Sequence, residues 1–120
     1  MLIILAFVFS TLMSCNGDEP QADYAGIIAG TYTGTVTTGT GTAGGITTIT
    51  KRSETSVDMD IMAGSHSLVI PWIKVSSVED NVYILSFTIT DKSLAGEVEG
   101  NTLTYTLASG VLTGTFTGTR

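Results

Sequence analysis

From Ile27 onward, apolar residues or glycines and polar residues take alternate places along the chain. Gly30–Thr37 (GTYTGTVT) sets Gly30, Tyr32, Gly34 and Val36 on one face and four threonines on the other. Ser56–Met62 alternates Val57, Met59 and Ile61 with Asp58 and Asp60. Val82–Thr90 aligns Tyr83, Leu85, Phe87 and Ile89, and Asn101–Leu107 aligns Leu103, Tyr105 and Leu107 opposite Thr102, Thr104 and Thr106. Successive strand side chains project to opposite faces, so period two predicts strands with one buried face. Gly100-Asn101 marks a turn. Ser67–Val75 (SLVIPWIKV) is apolar at both parities, which predicts burial on two sides or a bend. Pro71 lacks an N–H for the ladder and so predicts a bulge, an edge or a break between two strands. No stretch of the body carries a helical stripe. The pattern predicts an all-β sandwich or meander barrel of about eight short strands over residues 27–120.

Gly30-Thr-Tyr-Thr-Gly-Thr35 recurs as Gly114-Thr-Phe-Thr-Gly-Thr119, at the two ends of this body and with the same facing. A barrel removes its open edges by pairing its first and last strands. The echo predicts that pairing, with each aromatic ring over the bare backbone of its neighbour. The aromatics Tyr32, Trp72, Tyr83, Phe87, Tyr105 and Phe116 fall mostly on the expected inner face. Eight strands leave room for packed side chains or for one small ligand. Strands this short favour a filled core. If there is a pocket, these six residues line it, Trp72 and the tyrosines foremost, because their rings combine an apolar body with a polar tip.

The first residues have a different texture. Leu2–Phe9 is an unbroken apolar run. Even extended through Met13 it falls short of the roughly 20 residues needed to cross a bilayer. Short and followed by small residues, it reads as a signal peptide. Leu12-Met13-Ser14-Cys15 resembles the lipobox of bacterial lipoproteins, whose cysteine is diacylglycerated and becomes the new N-terminus. Cys15 is the only cysteine, so it has no disulfide partner within the chain. Two or three acyl chains on one residue give durable membrane attachment. No Lys or Arg precedes the apolar run, a departure that points to a start upstream of Met1. Residues 16–23 (NGDEPQAD) are acidic and rich in turn formers. The expected organisation is a signal peptide over 1–14, a lipidated Cys15 with a flexible acidic tether over 15–26, and a β-barrel over 27–120.

A net charge of −6 argues against nucleic acid, whose affinity comes from cations on phosphate, and against attraction to anionic headgroups. Gly39-Thr-Gly-Thr-Ala-Gly44 satisfies G-x-G-x-x-G, but no helix follows to receive a pyrophosphate, so it reads as a hairpin loop. His66, the only histidine, lies between two serines without the nucleophile motif of a hydrolase, and an exposed turn is expected for it. The pairs Asp58/Asp60 and Glu97/Glu99 carry carboxylates on strand faces but match no calcium loop. No catalytic residue, cofactor or metal is expected.

GTYTGTV, SLVIPWIKV, LAGEVEGNTLTYTL and LTGTFTGTR together resemble the small calycin-like lipoproteins of Gram-negative bacteria, compact relatives of the lipocalin barrel. The likeness spans most of residues 28–120 and rests on structural glycines and apolar alternation. It implies an eight-stranded antiparallel up-and-down barrel held at the outer membrane by lipid, facing the periplasm or the cell surface. It carries over no functional residue. The expected function is a non-enzymatic binding module for a small apolar or amphipathic molecule or a glycan at the barrel mouth. The alternative is a structural or adhesin-like lipoprotein with a filled barrel, whose partner is another envelope protein.

Overall fold

The computed structural model describes residues 23–120 except Val111. The signal peptide, the lipobox residues Leu12, Met13 and Ser14, the lipidation site Cys15 and tether residues 16–22 lie outside the described residues. A one-turn helix, α1 (Tyr24–Ile28), precedes eight strands: β1 (Gly30–Thr38), β2 (Gly41–Ser53), β3 (Ser56–Ala63), β4 (His66–Glu79), β5 (Val82–Ile89), β6 (Lys92–Glu99), β7 (Thr102–Ala108) and β8 (Gly114–Thr119). Each strand pairs antiparallel with the next, and β8 returns to β1, closing the barrel.

Alternation explains which face is which. Val57, Met59, Ile61, Ile70, Ile73, Leu85, Leu94, Val98, Leu103 and Leu107 point inward and are buried. The outer face is largely threonine, and neighbouring hydroxyls pair across strands, as at Thr31–Thr48 and Thr106–Thr115. A barrel that spans a bilayer has the reverse pattern, an apolar band outside and a polar lumen. The filled apolar interior and threonine-rich outer face are the reverse of that pattern.

The echoed strands do close the barrel. Gly34 lies directly opposite Gly118, and Val36 opposite Phe116. An added Cβ at Gly34 would collide with the Thr117 carbonyl and the Gly118 Cα, so only glycine permits the seam to close this tightly. Gly45 continues the row on β2. Phe116 uses the space at Gly118, in its own strand, where its ring lies in the place of any side chain; at Gly45 the place is taken by Val36. Tyr32 lies on the other side of the glycine pair and sends its hydroxyl to the Ile28 carbonyl at 2.7 Å. The expected ring-over-neighbour arrangement is thus corrected: Phe116 covers the glycine of its own strand, Gly118, and Tyr32 secures the helix.

One further expectation is resolved, to the bulge among its alternatives, and two change. The segment 67–75 belongs to one long strand, β4, with a bulge at its centre. Pairing passes from Val57–Ile73 to Met59–Ile70, so Pro71 and Trp72 together oppose Asp58. The extra residue lets Ile70 and Ile73, three apart, both point into the core, which is why the segment reads as apolar at both parities. The Gly39–Gly44 loop shrinks to a turn at Gly39-Thr40, and Gly41–Gly44 are paired residues of β2. The folded body also begins before Ile27. Residues 24–26, expected in the tether, form most of α1, whose Ala25 and Ile28 are fully buried. Asp23 caps this helix by accepting the Gly26 N–H, and five residues are too few to show a stripe.

Candidate functional site

An up-and-down barrel sends alternate turns to opposite ends. The β2–β3, β4–β5 and β6–β7 turns lie at the end covered by α1. The β1–β2 and β3–β4 turns and the β7–β8 loop surround the other end, which is open. There they line an open cavity of about 440 Å³. Its floor is apolar and small: Val36, Ala43, Ala63 and Leu112. Its rim is hydroxylic, with Thr38, Thr40, Thr42, Ser65 and Thr113, joined by the imidazole of His66.

Local bonding shapes this rim. Thr38 and Thr40 pair their hydroxyls at 3.0 Å across the tight β1–β2 turn. Gly64, at φ 60°, supplies the left-handed residue that turns β3 into β4 and places Ser65 and His66 at the opening. In the β7–β8 loop, the Leu112 N–H donates to the Ser109 hydroxyl at 2.9 Å, that hydroxyl donates to the Leu112 carbonyl, and Thr113 donates to the Ser109 carbonyl. The loop thereby folds Leu112 inward over the core. No charged side chain lines the cavity. Polar hydroxyls over an apolar floor suit a neutral, amphipathic, hydroxyl-bearing molecule better than an ion or a lipid tail.

Beneath the cavity the barrel is packed. The space among Val36, Tyr105, Leu107, Leu112, Gly114 and Phe116 has no volume open to a water molecule. Tyr105 and Phe116 stack with centroids 5.2 Å apart. The one buried polar side chain among those described, Thr47, pairs its hydroxyl with that of Tyr105 at 2.8 Å. Burial pushes the Tyr105 phenol up to about 12, the Thr47 hydrogen bond only partly opposing it, so it stays protonated. Burial also raises the Tyr32 phenol, against the pull of the nearby Arg120 guanidinium.

The six aromatics expected at a pocket therefore do not converge. Tyr32, Tyr105 and Phe116 are core residues. Tyr83 and Phe87 are half-buried against that core, and Tyr83 meets Tyr24 of α1 at 5.8 Å between centroids. Trp72 is the correction: it stands outside the barrel, 61% exposed, because the bulge at Pro71-Trp72 turns it out of the inward register. His66 is exposed, as expected, but at the start of β4 rather than in a turn, and it lines the mouth. The sequence reading missed the mouth's threonines. Nothing marks them in the sequence beyond their place in the turns that gather at one end.

The candidate carboxylate pairs are also placed. Asp58 takes a two-pronged bond from Arg52, at 2.6 and 2.9 Å, and accepts the Trp72 N–H at 3.2 Å. The Arg52 guanidinium holds the Asp58 carboxyl below its usual value, with burial opposing and the Trp72 N–H assisting. Asp60, Glu97 and Glu99 are exposed. Among the described residues no three His, Cys, Asp or Glu side chains gather as a metal site would require.

Compared by sequence, the chain matches no protein-family profile and no curated protein. Compared by structure, it resembles the crystal structure of a putative outer membrane protein from Bacteroides fragilis, with a TM-score of 0.65 and 14% sequence identity. The match covers 83% of this chain and 54% of the other, so the chain spans about half the length of that neighbour. At this identity the two share a fold.

Proposed function

We propose that this chain is a non-enzymatic lipoprotein of the bacterial outer membrane, anchored through Cys15, whose barrel binds a neutral glycan at its open mouth. The observation that carries the proposal is the cavity of about 440 Å³, with a hydroxyl and imidazole rim, an apolar floor and no charged lining residue. Its size falls within the ordinary range of small-molecule sites, roughly 300–1,000 Å³. A sugar offers hydroxyls to such a rim and C–H faces to such a floor. The packed interior disfavours an apolar ligand held within the barrel. The lipobox-like Leu12-Met13-Ser14-Cys15 and the fold shared with the Bacteroides fragilis protein support the envelope location.

Titrating an isotope-labelled barrel of residues 21–120 with N-acetylglucosamine, mannose and maltose tests this reading. The expected amide shifts cluster at Thr38–Ala43, Ala63–His66 and Leu112–Thr113. Ala43→Trp, which fills the mouth from an exposed position, is expected to abolish them. Shifts absent with every sugar, or scattered over the outer wall, refute the glycan reading. The second reading, an interaction protein with no small ligand, would then stand on the filled interior.

A further inference from the structure

Four large apolar side chains are exposed on one wall of the barrel: Trp72 at 61%, Val69 at 57%, Met62 at 54% and Ile46 at 42%. They form one surface. Ile46 pairs with Met62 across β2–β3, Met62 with Ser67 across β3–β4, and Val69 and Trp72 follow along β4. Elsewhere the exposed large apolar side chains are Val78 near the end of β4, Ile89 at the end of β5 and Ile27 in α1, and most of the remaining outer face is threonine, serine and charge. We propose that this wall rests on the bilayer that holds the lipid of Cys15, with Trp72 in the headgroup region. The proposal rests on the anchor reading above.

Three observations carry it. First, Trp72 is held in position rather than left loose. Its backbone sits at φ 60°, an outlier for a bulky side chain, and costs of this kind are sustained by surrounding contacts. Asp58 accepts the Trp72 N–H, and Arg52, locked to Asp58, lies 4.2 Å from the centroid of the indole ring. Amphipathic indoles favour the membrane–water boundary. Second, the chain enters the fold at the foot of this wall. Asp23 is bonded to Lys51 of β2 at 2.9 Å, and Ala25 donates its N–H to the Glu54 carbonyl in the β2–β3 turn. Eight steps from Cys15 to Asp23 reach at most about 29 Å, so a lipid at Cys15 holds the foot of this wall within that distance of the bilayer. Third, the wall is electrically balanced. Between Ile46 and Lys74 its charges are Lys51, Arg52 and Lys74 against Glu54, Asp58 and Asp60. A surface of zero net charge suits zwitterionic lipid, which the acidic protein as a whole does not repel.

Trp72 is the only tryptophan in the chain, so its emission reports this wall alone. The mature protein from a bacterial envelope, its Cys15 peptide weighed by mass spectrometry, is reconstituted into phosphatidylcholine vesicles with and without brominated acyl chains. The expected result is a lipid mass on Cys15, blue-shifted emission, and loss of most of that emission in brominated vesicles. Val69→Asp, an exposed site whose change leaves the core intact, is expected to restore the emission. A Cys15 peptide without lipid overturns the anchor reading and this inference with it. A lipidated protein whose Trp72 emits as in water overturns the inference alone. So does quenching that survives Val69→Asp, or a Trp72 shielded in whole envelopes but not in pure lipid, which would signify a protein partner.

Discussion

At the end of the barrel covered by α1, the contacts join residues distant in sequence. Arg120 donates from Nη1 to the Ile27 and Ala29 carbonyls, 93 and 91 positions away, and from Nε to the Asn101 side chain. Lys51 reaches Asp23, 28 positions away. At the mouth, the side-chain bonds of the turns and loop join residues two to five apart, as in Thr38–Thr40, Thr37–Thr42 and Ser109–Thr113. The charges divide in the same way: apart from Asp91 and Lys92 at the β5–β6 turn, the charged residues described lie toward α1 or at mid-wall. One end is tied shut by contacts that exist only in the folded chain. The other is a ring of self-contained turns that can vary without disturbing closure. A recognition site is best placed on the second.

Breaking the seam tests that division most severely. Removal of residues 111–120 takes away β8 and Arg120 together, leaving β1 and β7 with unpaired backbone and α1 without its clamp. The expected outcome in denaturant unfolding is loss of the cooperative transition. Phe116→Ala and Tyr32→Ala should each cost about 3–5 kcal/mol, since both side chains are fully buried. Arg120→Ala comes next. Its hydrogen bonds to carbonyls are charge-assisted but solvent-exposed, so a loss of about 1–2 kcal/mol is expected. Amide exchange should rise in α1 while the mouth strands keep their protection. Equal loosening at both ends would contradict the division.

The fold was legible in the sequence because one signal, period two, recurs in nearly every strand. The repeated GTYTGT and GTFTGT then identified the strands that meet. The candidate site was not legible, for two physical reasons. Threonine serves the outer wall and the mouth alike, so residue type does not separate Thr38 from Thr31. Trp72 obeyed its pattern until the Pro71 bulge shifted the register by one residue, and a shift of one moves a strand side chain to the opposite face. Helix α1 escaped notice because a single turn shows no period, and its stability comes from Ala25 and Ile28 closing the barrel rather than from its own sequence.

Acid should act on the side wall and at the Asp23–Lys51 contact beside α1, not on the mouth. The folded-state value of Asp58 lies below its ordinary one of about 3.9, so the Arg52 contact stabilises fully above that value. It is lost as pH falls through the depressed value. Below about pH 4, therefore, Arg52 should begin to leave both Asp58 and the indole, while the core strands remain paired. The check is Trp72 emission followed against far-ultraviolet dichroism on acidification. A joint change of both signals, with no earlier shift in emission, would mean that the bulge and the core titrate as one.

The smallest effect on stability is expected at the mouth, and it separates the two ends most sharply. His66 begins β4 opposite Ala63, with its side chain exposed beside the cavity. Its backbone pairing survives any side-chain change, and no core contact depends on the imidazole. His66→Ala should therefore shift stability by no more than about 0.5 kcal/mol, the usual range for a surface site. The same substitution removes the only ring nitrogens from a rim otherwise made of hydroxyls. If the mouth binds sugar, the variant should unfold at the parent midpoint while its affinity falls. Tyr32→Ala makes the opposite demand: it weakens the closed end and should leave the mouth's preference among sugars unchanged wherever the variant remains folded. Measuring unfolding and sugar titration on both variants gives four numbers. If they co-vary, so that each variant loses stability and binding together, the ends are one cooperative unit and the mouth is no independent site.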